Sequence, residues 1–241
     1  MLTVAVDAHD AVVTERCGIA QAGSHGRTGA QSLRESKPAP TQRGENRRRS
    51  IARRVVHNED VEPLGKLRIL QLWTTLPSAS RWAAPRFAHM PLEKVPVRRE
   101  PGIDARVYSG TSGAVYAPSH TYLPLTLVDV RLAADAVFEQ ELPSSYNGFL
   151  YPIDGEITVD GTRPQRLASG QIGWLEFGGP STTIRLTART NQSRVMLYAG
   201  ARQNVPIVTH GPFVGETHAD LVRVSRAYAE GRMPRVSELG R

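Results

Sequence analysis

Cysteine is almost absent from this sequence: Cys17 stands alone among 241 residues. An intrachain disulfide and a cysteine-built zinc site are therefore excluded. No apolar run approaches the roughly 20 residues that a membrane helix needs. Asp7 and Asp10 interrupt the start, where a secretory leader would be apolar. The expected compartment is the cytoplasm, with no membrane partner. Aromatic residues are missing from the first 72 positions; all fifteen (three Trp, seven Tyr, five Phe) lie from Trp73 onward. Aromatics supply much of a core's buried area, so the core is expected to begin near residue 55 or later. The chain shows no Gly-rich phosphate loop and no dinucleotide-binding turn. No nucleophile motif surrounds Ser144-Ser145 or Ser181.

Charge is as uneven as aromaticity. The formal net charge is +7, and residues 1–54 hold ten Lys/Arg against five acids, a net of +5. The basic character thus belongs to the first segment. Arginines with no aromatic side chains among them offer no stacking platform for bases. This segment reads as a disordered basic tail that binds no nucleic acid.

Residues 55–90 change character: Lys66 to Trp73 partly alternates as a half-buried strand does, and Pro77, Pro85 and Pro91 punctuate a connector. Short strands separated by turn residues follow. They are expected at Ala105–Tyr108, Leu125–Leu132, Ala136–Gln140, Tyr146–Ile153, Glu156–Val159, Gly173–Phe177, Thr182–Thr187 and Ser193–Tyr198. Turns fall at Gly110 to Gly113, Ala133 to Asp135, Asp154-Gly155, Asp160-Gly161, Ser169-Gly170 and Gly178-Gly179-Pro180. Many short strands at this spacing predict a closed barrel or sandwich. One helix is predicted over about 217–230. Thr217 and Asp220 form its capping box, and Gly231 ends it.

Several segments resemble the pirin family. They are Val55-Val56-His57-Asn58-Glu59, Leu70-Gln71-Leu72-Trp73, Leu76-Pro77 and Tyr146-Asn147-Gly148-Phe149-Leu150-Tyr151 with Gly155-Glu156. Leu197-Tyr198-Ala199-Gly200, Pro206-Ile207-Val208, His210-Gly211-Pro212-Phe213-Val214 and Tyr228-Ala229-Glu230-Gly231-Arg232 complete the set. Their order and spacing match over about residues 52–233. The resemblance implies an all-β bicupin, two double-stranded β-helix barrels, with one C-terminal helix. It divides the chain into a tail (1–54), a remnant of the first barrel with its connector (55–90), and a complete C-terminal pirin-like barrel with the helix (91–233).

The resemblance also implies Fe(II) in the first barrel, held by three histidines and one glutamate. It implies either flavonol chemistry of the quercetin 2,3-dioxygenase type or non-catalytic regulation through a protein partner. His57 and Glu59 match the family's His-x-Glu ligand pair. On a strand two residues apart they share a face. The family's other pair, His-x-His, occurs nowhere, and the likeness stops near Ala52. The expected metal site is therefore incomplete, and a misplaced start or shifted reading frame would explain the loss. In the second barrel the same ligand spacing falls on Glu141, Pro143 and Asn147, with Thr183 at the second motif, so no metal is expected there. His120 and His210 are isolated and read as structural. With strands missing, the Lys66–Trp73 region is expected to lack cover and to self-associate. Deleting residues 1–54 is expected to change little.

Overall fold

A computed structural model gives the fold. It describes residues 2–6, 10–15, 70–119, 121–161, 163–175 and 183–234. In chain order the strands are β1 (Leu2–Val6), β2 (Asp10–Glu15), β3 (Leu70–Thr74), β4 (Arg86–Pro91), β5 (Val97–Glu100), β6 (Ile103–Ser109), β7 (Thr111–Ser112), β8 (Val115–Tyr116) and β9 (Leu125–Leu132). Then come β10 (Val137–Glu141), β11 (Tyr146–Asp154), β12 (Glu156–Val159), β13 (Gln165–Ala168), β14 (Gly173–Leu175), β15 (Thr183–Ala188), β16 (Ser193–Ala201), β17 (Val208–His210) and β18 (Phe213–Gly215). Helix α1 (His218–Ala229) follows and is the one α-helix among the described residues. The chain divides into two compact units. One is Glu93–Arg202; the other joins Met1–Leu92 to Gln203–Arg241.

The unit Glu93–Arg202 is the barrel. One sheet runs β14-β11-β16-β9-β6-β5 and the other β10-β15-β12-β13. Alternation along each strand sends one set of side chains between the sheets. Val128, Val130, Phe138, Leu150, Ile157, Leu186, Val195 and Leu197 meet there in one buried cluster. The turns at Asp154-Gly155 and Ser169-Gly170 fall where the sequence marks them, Thr111-Ser112 is a strand, and Gly178-Gly179-Pro180 lies outside the described residues. Gly155 and Gly170 adopt positive φ (76° and 81°), as does Asp135 at 60°, conformations that glycine reaches without penalty. Gly148 is demanded by space instead: a Cβ there would lie 1.9 Å from the Tyr198 carbonyl oxygen. Strands β9 and β12 coincide with their expected ranges. β5, β13 and the β7–β8 pair were not foreseen.

The second unit departs from expectation at its beginning. Leu2–Val6 and Asp10–Glu15 lie in the segment expected to be a disordered tail, yet they are strands. They are the two inner strands of an antiparallel sheet ordered β3-β1-β2-β4. Leu2 pairs with Thr74 and Val6 with Leu70, while Asp10 pairs with Pro91. β-branched residues in LTVAV and DAVVTE suit a paired, pleated backbone. The charge count over 1–54 obscured two segments too short to stand out.

This unit also holds α1. Thr217 accepts from the Asp220 backbone N–H, and the Asp220 carboxylate accepts from the Thr217 N–H, so the capping box is present. Leu221 and Val224 pack with Phe213. Arg81, buried, donates to the Leu76 carbonyl (2.8 Å) and pairs with Glu216 (2.8 Å). Ser78 Oγ donates to the same carboxylate at 2.5 Å. The Arg223 guanidinium lies 3.7 Å from the Trp82 ring centroid. These contacts join the helix to the connector.

Candidate functional site

Two regions of the barrel were candidates for chemistry: its interior and the outer face of its larger sheet. At the interior, the positions matching the family's ligand spacing are Glu141, Pro143, Asn147 and Thr183, and all four side chains are exposed. None turns into the barrel, whose centre is filled by the apolar cluster. One end of the interior is polar. Gln140 and Ser112 are buried there, and Arg98 donates to Ser112 Oγ (3.2 Å) and to the Glu139 carbonyl (2.8 Å). Sequence reading missed this group. The signal was the inward parity of Gln140, two residues beyond the core residue Phe138.

The outer face carries the cross-strand rows of the six-stranded sheet. In one row Trp174 opposes Phe149, Phe149 opposes Tyr198, and Tyr198 opposes Leu127. Phe149 stacks on Tyr198 at 4.7 Å and meets Trp174 edge-on at 5.4 Å. The ladder runs from an exposed ring, Trp174, to fully buried Leu127. Aromatic pairs of this kind add about 0.5–1.5 kcal/mol beyond their burial. In the next row Asp129 opposes Arg106. Arg194 grips the Asp129 carboxylate with two bonds, Nε to Oδ1 at 2.9 Å and a second nitrogen to Oδ2 at 2.7 Å.

Tyr108 is the extra residue of a β-bulge between Val107 and Ser109 and is fully buried. Its hydroxyl has no hydrogen-bond partner. Burial, and then the charge of Asp129, push its pKa up to about 12. Burial raises Tyr198 as well. These tyrosines stay neutral at physiological pH and serve packing.

His57 and Glu59 lie outside the described residues, as do His120 and Ser181. His210 and His89 are exposed on β17 and β4, and Ser144 and Ser145 are exposed between β10 and β11. Among the described residues, no three His, Cys, Asp or Glu side chains come together as a metal site. The implied iron needs three imidazoles and a carboxylate. The described side chains do not fit it, and the sequence supplies one matching pair. Among the described residues no helix is long and apolar enough to cross a membrane.

Two antiparallel sheets closing on an apolar interior make this a cupin. Residues 127–234 match the Pirin C-terminal cupin domain. The chain carries this domain and is similar to pirin-like proteins over much of its length. It is 30% identical over 184 residues to a pirin-like protein of Caulobacter vibrioides, a match covering 74% of this chain and 63% of that one. The crystal structure of GK1651 from Geobacillus kaustophilus is 34% identical, with TM-score 0.55, and covers 58% of this chain and 57% of that one. A quercetin 2,3-dioxygenase structure from Acinetobacter baumannii is 25% identical, with TM-score 0.59, and covers 69% of this chain and 53% of that one. The chain thus spans between half and two thirds of the length of these relatives.

Proposed function

We propose that this chain is a pirin-type cupin that works by binding, as the non-oxygenating remnant of a flavonol dioxygenase. The observation that supports it is the donor set. One His-x-Glu pair, His57 and Glu59, stands without a His-x-His pair, and the barrel of residues 93–202 presents an apolar interior. Two protein ligands leave most of a metal's shell to water. On this reading Fe(II), if taken up at His57 and Glu59, is held weakly, and function runs through a regulatory protein partner in the cytoplasm. A second reading, an iron-dependent enzyme opening a flavonol ring, draws support from the likeness to the Acinetobacter quercetin 2,3-dioxygenase and from the same two residues.

Iron content and quercetin turnover separate the readings. The purified chain, loaded with Fe(II) under nitrogen and desalted, is expected to retain far less than one iron per protein. With quercetin it is expected to take up oxygen no faster than buffer. Near-stoichiometric iron that disappears in His57→Ala, with oxygen uptake that disappears alongside it, would establish the enzyme and overturn the binding reading.

A further inference from the structure

The polar end of the barrel contains a group that packing does not explain. On β10, alternate residues Phe138 and Gln140 face inward. Gln140 stands opposite Ile184 of β15, which packs against the core. Its Nε2 donates to the Thr111 carbonyl (3.0 Å) and to the Glu141 carbonyl (2.8 Å). Those two bonds fix which end of the amide is nitrogen. The other end, Oε1, is buried and has no hydrogen-bond partner. An acceptor buried unsatisfied in an apolar setting is destabilising unless something donates to it.

A short flap is bonded to the Nε2 end of the same side chain. Residues Gly110 to Ala117 form the β7–β8 pair, closed at its base by Ala117 N–H donating to the Gly110 carbonyl (3.0 Å). Gly110 and Gly113 both adopt positive φ, 74° and 55°, so the turn depends on glycine. Val115 and Ala117 pack on the barrel core. Two side-chain bonds from the barrel hold the flap: Gln140 to the Thr111 carbonyl, and Arg98 to Ser112 Oγ. The Arg98 guanidinium also lies 5.1 Å from the Phe138 ring centroid. The end of the barrel therefore has apolar walls, one unspent acceptor, and a small cover held by two side-chain bonds. Segments of this kind open locally at a fraction of the global stability.

We propose that the end of the barrel beneath this flap is a binding site for a small apolar molecule carrying one hydroxyl donor. The apolar body lies against Phe138 and Val115, and the hydroxyl donates to Gln140 Oε1. The flap opens to admit it and closes over it. This proposal uses neither His57 nor Glu59, so the iron and quercetin experiments above neither support nor weaken it.

The probe is phenol, with benzene as the ring without a donor. Amide chemical shifts of the full chain are followed during titration with each. Phenol is expected to bind saturably, shifting Thr111, Ser112 and Gln140, and to bind about fivefold more tightly than benzene, the worth of one hydrogen bond. In Gln140→Met, similar in length but without the acceptor, that preference is expected to vanish. Equal affinities in the unaltered protein, or no saturable shift with phenol, would overturn the proposal, and that comparison needs no variant to fold. Ser112→Ala tests the flap separately. It removes the Arg98 bond and should speed hydrogen exchange across residues 111–117 and phenol association together; unchanged rates would sink the gating step.

Discussion

In the barrel unit, fourteen buried residues from eight strands meet in one apolar cluster. In the other unit, the described apolar cluster at α1 has three buried members, Phe213, Leu221 and Val224. Among the described residues of that unit, polar contacts stand beside this cluster: Arg81 to Glu216 and Leu76, Ser78 to Glu216, Arg223 over Trp82, and the capping box of Thr217. The barrel is held by non-directional burial that tolerates small shifts. The polar contacts described in the other unit each depend on their own geometry. Sequence distance does not separate the two: Ser193 pairs with Leu132 in the barrel, and Leu2 pairs with Thr74 in the other sheet.

The largest test of that contrast is a deletion. Removing residues 1–15 takes out both inner strands of the four-stranded sheet and leaves β3 and β4 each without its strand partner. Calorimetry is expected to show the transition of that unit lost and the barrel transition retained. Both transitions surviving intact would show that the sheet is not what holds the unit. Next in size is Asp129→Ala in the barrel. It strands the largely buried Arg194 guanidinium, whose side chain is 17% exposed, and breaking a buried pair from one side costs about 3–5 kcal/mol. Urea denaturation would measure it. A loss under about 1 kcal/mol would mean that Arg194 swings out to water.

A smaller effect is expected for Glu216→Gln, which weakens the bonds from Arg81 and Ser78. Charge-assisted hydrogen bonds are worth about 1.5–3 kcal/mol, so the unit containing α1 should melt earlier while the barrel transition stays put. The smallest effect belongs to Tyr108→Phe. The hydroxyl has no partner, so its removal should leave stability at pH 7 unchanged or slightly higher. The pH dependence follows from the raised pKa. The folded protein holds this proton more tightly than the unfolded chain, whose tyrosine titrates at 10.0. The contribution is complete below pH 10 and is lost as pH rises through about 12. Melts taken across that window should show a shallower alkaline loss in the variant than in the unaltered protein.

Much of the barrel was legible because its signals are local. Alternation placed β9 and β12, and the residues at Asp154-Gly155 and Ser169-Gly170 placed their turns. Thr217 and Asp220 placed the start of α1 within one residue. β13 escaped because Gln165–Ala168 is four residues with exposed polar side chains at its first two positions. β1 and β2 escaped because five or six residues do not establish a period inside an arginine-rich segment. Of the site, the likeness to pirins drew attention to His57 and Glu59, and the ligand spacing excluded Glu141, Pro143 and Asn147. The orphan oxygen of Gln140 could not be read, because whether a side-chain acceptor is satisfied depends on partners from β7 and β15, more than 25 and 40 residues away.

By itself the sequence determined the strand-rich class, the helix and its caps, and turns such as Asp154-Gly155, because each rests on residue type and short spacing. Only the tertiary structure decided that residues 2–15 pair between β3 and β4. It alone decided that Arg81 and Trp82 are what α1 meets, and that Asp129, Tyr108 and Gln140 are buried. Those outcomes depend on which strands meet, and backbone pairing carries almost no side-chain code: any pleated segment offers the same N–H and C=O groups to any other.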